Sequence, residues 1–459
     1  MKSTFLFLAI FSFSGYTQTI TGIDQSLAGT KLSLCTYSEF ITNVEKQLAE
    51  TTVAADGSFT LKGNLSKVQY CFLKAGNNYA DFYAEPGKTY KVNWPNFTKG
   101  KDEARPYFEK TVKPLVVQGT DTLELNSSIR RFNTFYDTFL EKNASSIIVR
   151  SRAGAVVKQL RKVAYTQIGN ITDAQFRTYV DYNLAIVEQL ASGNKSYIYN
   201  GFLKTKPVRP FDLMYMEFFH QFYEKQVDAM VLSNKDIRLL QILNKGYSWV
   251  EFDKELAKKP FLENDTLRQM ATVKNFRTLY HDKAIKKESV IAMLEIMSRE
   301  SRLDFIRIAA ANMKEQLLFL SPGGVVPKFS LETTDGNTLS SSDLKGRFVY
   351  LEITDPACAA CLAETKAIAV YKKKYGEKIR FVTIMLNTTK AKATQFKNAN
   401  KIDWDVLYSP PAGTLADDFG VVSIPQYFIL NPDGKFFRSP ALKPSQAVEK
   451  DFSDIKFKW

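Results

Sequence analysis

Past Pro322-Gly323-Gly324 the chain changes character: strand-length and helix-length apolar runs alternate to its C-terminal end. Residues 347–353, 379–386, 426–430 and 435–437 read as strands, with a short extended run at 406–408. Residues 362–375, 389–398 and 415–419 read as helices. A strand that passes through a helix into a further strand makes a crossover, so this order predicts an α/β domain around a mixed central sheet. It argues against an all-β or all-α fold for this part of the chain.

Between the first of these strands and the first helix stands Asp355-Pro356-Ala357-Cys358-Ala359-Ala360-Cys361. A helix N-terminus offers unpaired N–H groups and a partial positive charge, and both favour a thiolate. Cys358 is therefore the expected attacking thiol. Two intervening residues let the second sulfur reach the first within one turn. Cys361, further into the helix, is the expected resolving thiol, and exchange would pass through a mixed disulfide. A structural disulfide and half of a zinc site are the competing readings. Zinc needs two further ligands. No second CxxC exists, Cys35 and Cys71 are remote in sequence, and both histidines, His220 and His281, lie outside this region. No metal and no cofactor are expected.

Around the cysteines stand Val326-Pro327-Lys328-Phe329-Ser330-Leu331, Asp335-Gly336, Leu344-Lys345-Gly346-Arg347 and Val422-Ser423-Ile424-Pro425. On these motifs and the CxxC, residues 325–459 resemble the thioredoxin-like domain of the TlpA/ResA family of exported thiol–disulfide oxidoreductases. The resemblance implies that Cys358 and Cys361 are the redox pair and that Pro425 is a cis-proline beside them. It implies that Ile424 offers backbone groups to an extended substrate, with Pro356 and Ala357 on the same substrate-binding side. Glu364, six residues after Cys358, stands where the family carries an acidic residue. Glu352, six residues before Cys358, stands at the place of the buried acid of thioredoxin. A carboxylate near the pair could relay the proton of Cys361, the plain alternative being a solvated surface carboxylate. The chain departs from the family at Ala357, where an aromatic residue is usual, at Ile353-Thr354 and in the Ala-Ala dipeptide between the cysteines. These departures bear on the reduction potential, which the local environment sets. The resemblance further implies protein thiol or disulfide substrates and a membrane-embedded electron donor. The absence of His from this region speaks against a copper carrier, and the CxxC against a peroxidase.

Residues 19–100 alternate in short runs, such as Lys31-Leu32-Ser33-Leu34 and Val68-Gln69-Tyr70, with turn signals at Asp56-Gly57 and Pro86-Gly87. They predict a small antiparallel β sandwich or barrel. Residues 101–320 read as an all-α region. There Thr172 and Gln175 predict a capping box ahead of the stripe Phe176, Val180, Leu184, Val187 and Ala191, which Ser192-Gly193 ends. A second stripe runs through Leu303, Ile306, Ala310, Met313, Leu317 and Leu320. Such stripes mark burial, in a core or at a dimer face. Core packing is the preferred reading, and a homo-oligomer stays open. Cys35 and Cys71 fall in predicted strands, either paired or as free buried thiols. His220 reads as a packing residue and His281 as a solvated one.

Residues 1–18 have the form of a secretory signal: Lys2, an apolar run over 5–13, then small and polar residues. The run is too short to span a bilayer, and no cysteine follows it for lipid attachment. A soluble periplasmic protein is expected. Export argues against a nucleic-acid partner, although the formal charge is +14, because that charge is spread along the chain. With 45% apolar residues, among them 34 Phe and 22 Tyr, the 459-residue chain has core material for several domains. The expectation is a multidomain, exported thiol–disulfide oxidoreductase that exchanges disulfides with partner proteins as a reductant. The alternative is an envelope binding or scaffolding protein whose thioredoxin-like domain is redox-silent.

Overall fold

The computed structural model describes residues 16–76, 78–96, 111–118, 123–148, 150–168, 172–234, 236–246, 248–410, 415–421 and 423–455. The greater part of the expected secretion signal, residues 1–15, lies outside the described residues. The chain divides into two compact units, with the break between Glu315 and Gln316.

The first unit begins with β1 (Tyr16–Ile23), β2 (Lys31–Tyr37), β3 (Glu45–Thr52), β4 (Ser58–Leu65), β5 (Gln69–Ala75), β6 (Asn78–Ala84), β7 (Thr89–Asn93), β8 (Thr111–Pro114) and β9 (Val116–Val117). They form two sheets, β4-β1-β7-β9 and β3-β2-β5-β6-β8. The expected antiparallel sandwich is present with one departure per sheet: β1 pairs β7, and β6 pairs β8, in parallel. The alternation read in the sequence is that of the fold. Along β4, Phe59, Leu61 and Leu65 point inward and meet Ile20, Leu34, Leu73, Phe82 and Tyr90 from both sheets. Gly57 turns the chain into β4 at φ +80°, and a Cβ there would lie 2.7 Å from the Asp24 backbone, so only glycine fits.

Between Leu125 and Leu318 the described residues are mainly helical. The helix Ala174–Ser192 buries Phe176, Val180, Leu184, Val187 and Ala191 within this one chain, which makes the first stripe a core face. Its cap differs from expectation. Asp173, in an extended conformation, accepts the Phe176 N–H at 2.6 Å. Thr172 sits one residue too early to reach that position. Gly193 ends the helix in the left-handed conformation, φ 60°. The second stripe lies on the helix Asp304–Leu318, where Ile306, Ala310, Met313 and Leu317 are buried.

Hydrogen bonds tie the sandwich to these helices. Asn126, buried in the helix Leu125–Ile148, accepts the Tyr83 N–H at 2.7 Å and donates to the Tyr83 carbonyl at 2.9 Å. It thereby extends β6 as another strand would. Asn126→Ala would leave both backbone groups buried and unpaired, at a cost of roughly 2–4 kcal/mol. Chemical denaturation checks this, and a loss below about 0.5 kcal/mol would contradict the pairing. The buried carboxylate of Glu39 accepts the N–H groups of Ile41 and Thr42 and the side-chain amide of Asn312. His220 Nε2 lies 2.6 Å from the Phe40 carbonyl and is held largely neutral by burial. It is the packing residue expected, and His281 is exposed as expected.

Cys35 and Cys71 do not pair. On the adjacent strands β2 and β5, Cys35 stands opposite Phe72. Consecutive strand residues face opposite sides, so Cys71 points away from Cys35, into the space between the sheets. Burial pushes their thiols up to about 11 and about 12, which keeps both protonated and unreactive.

The second unit contains β10 (Ser330–Glu332), β11 (Thr338–Ser340), β12 (Phe348–Thr354), β13 (Ile379–Met385), β14 (Asp405–Tyr408), β15 (Gln426–Leu430) and β16 (Phe436–Arg438). The five-stranded sheet has the order β14-β13-β12-β15-β16. β12, β13 and β14 run parallel, and β15 and β16 are antiparallel to their neighbours. The helices Ala359–Tyr375 and Lys390–Ala399 connect the parallel strands. Apolar layers cover both faces. Val349, Leu351 and Ile353 of β12 join one layer and Tyr350 joins the other. This is the expected mixed α/β fold. The hairpin β10–β11 falls on the quoted Ser330-Leu331 and Asp335-Gly336 stretches, and the last helix, Glu449–Ser453, is an addition that no motif announced.

Candidate active site

The end of β12 runs straight into the cysteines. Asp355 is buried, and its carboxylate accepts the Ala357 N–H at 2.7 Å while its carbonyl accepts the Cys358 N–H at 3.1 Å. This Asx turn reverses the chain and starts the helix Ala359–Tyr375 with Cys358 as its N-cap. The Cys358 sulfur accepts the Cys361 N–H at 3.1 Å, the place a Ser or Asp oxygen takes in other helix caps. Cys358 is half-buried and Cys361 fully buried. The two are joined as a disulfide with Cα atoms 5.2 Å apart. Cys358 is thus the more accessible of the two sulfurs. Pro356 is half-buried and Ala357 exposed at the approach to Cys358.

Glu352 lies on β12 on the face covered by the helix. The sheet register sets Thr383 of β13 on one side of it and Tyr427 of β15 on the other. Both donate: the Thr383 hydroxyl reaches Oε2 at 2.8 Å and the Tyr427 hydroxyl reaches Oε1 at 3.1 Å. Trp404 fixes Thr383 by donating from Nε1 to its hydroxyl oxygen at 2.9 Å. From above, the Thr365 hydroxyl lies 3.0 Å from Glu352 Oε1 and 2.9 Å from the Cys361 carbonyl. One hydroxyl proton cannot serve both acceptors. With a proton on Glu352 the conflict disappears, because the carboxyl can donate to Thr365 while Thr365 donates to Cys361. Complete burial accordingly pushes Glu352 up to about 7, against the pull of the Thr383, Thr365 and Tyr427 hydroxyls and with a smaller push from Glu364. The carboxyl group stands two hydrogen bonds from the Cys361 backbone.

The other acidic candidate is engaged elsewhere. Glu364 accepts the N–H of Ser445 at 3.0 Å and also its hydroxyl, tying the helix Ala359–Tyr375 to the turn at Pro444–Gln446. Pro425 is buried, and the Ile424–Pro425 peptide is cis. β15 starts directly after it, and Gln426 pairs with Ile353. That register brings Pro425 level with Thr354, at the end of β12 that leads to Cys358. Ile424 is half-buried beside it.

Four residues of the site carried no motif, Thr365, Thr383, Trp404 and Tyr427, and Asp355 stood in the CxxC stretch without a role assigned to it. Two left traces in the sequence. Thr365 is four residues from Cys361, hence on the same helix face, and Thr383 is a polar residue inside the apolar run of β13. Among the described residues there is no cluster of His, Cys, Asp and Glu that would hold a metal ion. No helix among them is long and apolar enough to cross a membrane.

The sequence profile described as the AhpC/TSA family matches residues 322–436. Over 137 residues the chain is 26% identical to the thiol-disulfide oxidoreductase ResA of Bacillus subtilis, covering 30% of this chain and 76% of that protein. Over 133 residues it is 26% identical to the protein of the same name from Oceanobacillus iheyensis, covering 27% of this chain and 67% of that one. Among solved structures, a putative thiol-disulfide oxidoreductase from Bacteroides vulgatus aligns with 25% identity and a TM-score of 0.26, over 29% of this chain and 88% of that chain.

Proposed function

We propose, on the premise that residues 322–436 are an AhpC/TSA thioredoxin-fold domain distantly related to ResA- and TlpA-like thiol–disulfide oxidoreductases, that this protein is an exported reductant of disulfides in partner proteins. The observation that carries the proposal is the position of Cys358. Its sulfur caps the helix and accepts the Cys361 N–H, while its partner sulfur is buried. The same N–H and the helix dipole would stabilise a Cys358 thiolate.

In the proposed cycle the Cys358 thiolate attacks one sulfur of a substrate disulfide. A mixed disulfide forms and the first substrate thiolate leaves. Cys361 then attacks the Cys358 sulfur and the second substrate thiolate leaves. The substrate gains two electrons, and the CxxC pair loses them as it closes to a disulfide. Glu352, ionised, would accept the proton that Cys361 must shed, and, protonated, would return it when an electron donor reopens the pair. Pro356, Ala357 and the Ile424–Pro425 segment would line the approach of an extended substrate. Glu364 serves chiefly to hold the helix against the Pro444–Gln446 turn. A membrane-embedded donor would re-reduce the pair. Export rests on the signal-like residues 1–18, and a cut no later than residue 15 would leave β1 whole.

The deciding experiment equilibrates the purified protein across glutathione ratios, traps thiols by alkylation and reads the mass. A reversible two-electron transition assigned to Cys358 and Cys361 is expected. A pair that stays closed under strong reductant would leave the binding or scaffolding reading in its place.

A further inference from the structure

The helical region holds a cleft of about 800 Å³ that has no part in the proposed redox chemistry. Three segments converge on it: the helix Arg150–Ile168, the first half of the helix Ala174–Ser192, and residues 201–209. The third segment begins in a π-helix, Asn200–Lys204. A wide turn of this kind is rare and recurs at functional sites. Here it brings Gly201 and Phe202 to the cleft wall. A Cβ on Gly201 would meet nothing within 4 Å, so the wall is open at that point. Phe202 is backed by Phe218, ring centroids 5.6 Å apart, which gives the wall a packed aromatic support.

The charge of the cleft is one-sided. Arg161, Arg177, Lys206 and Arg209 line it, against a single carboxylate, Asp181, which accepts from the Tyr165 hydroxyl. Arg161 is also paired with Glu188, and its guanidinium lies 5.9 Å from the Phe202 ring centre. The buried Asp212 carboxylate also acts on Arg209, so Asp181, Glu188 and Asp212 offset part of the charge of the four cations. Arg177, Lys206 and Arg209 are exposed, and an excess of cations lining one cleft attracts anions from solvent. Three of the four are guanidinium groups, whose planar fork matches carboxylate and phosphate oxygens in pairs. The volume lies in the range of small-molecule pockets.

The geometry points to a binding site for a small organic anion that carries two or more oxyanion groups, held by Arg161, Arg177, Lys206 and Arg209 against the Gly201–Phe202 wall. The shared chemistry of its ligands is the oxyanion, whether a carboxylate or a phosphate supplies it. Isothermal titration calorimetry of the full chain with citrate and with tripolyphosphate tests the site and separates the two sources. Saturable one-to-one binding of at least one probe is expected. Arg209→Glu, which reverses a charge, and Gly201→Trp, which fills the open wall, should each weaken it by more than 10-fold. Lys62→Glu, an exposed change on β4, should leave it within 2-fold and serves as the control for net charge. If Gly201→Trp fails to fold, the double variant Lys206→Glu with Arg209→Glu replaces it, with the same loss expected. The proposal is overturned if neither probe binds saturably, or if Lys62→Glu weakens binding as much as the cleft variants do.

Discussion

Replacing Cys358 with serine is expected to leave the fold standing and to lower thiol–disulfide exchange by at least about 10³-fold, the scale seen when an enzyme loses its nucleophile. A serine oxygen can still cap the helix by accepting the Cys361 N–H, so thermal unfolding should move little. Insulin reduction with dithiothreitol as donor provides the rate. The companion variant Cys361→Ser reads the other half of the cycle. It keeps the attacking sulfur and loses the resolving one, so a mixed disulfide with substrate should accumulate and be visible by mass. If Cys358→Ser retains activity while Cys361→Ser loses it, the assignment of attacking and resolving thiols is reversed.

The second large effect concerns Glu352. Glutamine keeps the shape and the hydrogen-bonding capacity of the side chain and removes its ionisation. The folded carboxyl titrates near 7, whereas an unfolded glutamate titrates near ~4.3. Its pKa is therefore raised by folding. The stability it contributes is complete below the unfolded value and is lost as pH rises through the folded one. Between those values the folded chain holds a proton that the unfolded chain has released. Above pH 7 the folded protein carries the full cost of a buried charge, about 4 kcal/mol for a shift of this size. Glu352→Gln should therefore be more stable than the natural chain at pH 8 by roughly that amount, with the difference vanishing near pH 4. Denaturant midpoints at the two pH values check it. Catalysis should move the opposite way. Resolution of the mixed disulfide should slow by roughly 10²-fold. Its pH dependence should shift from near 7 toward the ordinary thiol range, a change that a purely structural role would not produce. Equal midpoints at pH 8 would contradict the buried charge, and an unchanged pH–rate profile would contradict the proton relay.

The two effects rest on parts of the site that the sequence displayed unequally. Cys358 and Cys361 were legible because a CxxC between a strand and a helix is a local pattern, and the helix N-terminus acts on its first residues. Pro425 was legible by resemblance, since nothing in its own neighbourhood announces which strand it lies beside. The setting of Glu352 was not legible. Its partners Thr383, Tyr427 and Thr365 come from two other strands and a helix, and only the register of β12 between β13 and β15 makes them neighbours. Glu364 shows the reverse: a suggestive spacing along the chain, and a side chain held by Ser445, 81 residues further on. The same limit applies to the sandwich. Alternation revealed its strands, but the parallel pairing of β1 with β7 depends on where the chain crosses between sheets. The helix cap at Asp173 differed from the Thr172–Gln175 box by one residue, a distance over which backbone conformation decides more than residue type.

The opposite orientations of Cys35 and Cys71 fix the redox capacity of the molecule. Neither thiol can reach the other without breaking the pairing of β2 with β5, so under the proposed function each chain would exchange two electrons, through the CxxC pair, and a Cys35–Cys71 disulfide would add none. Oxidative folding then has a single intramolecular end point for these strands, in which both sandwich thiols stay reduced inside a sealed core, and a thiol count on the unfolded chain against the native one reads the state of the exchangeable pair directly.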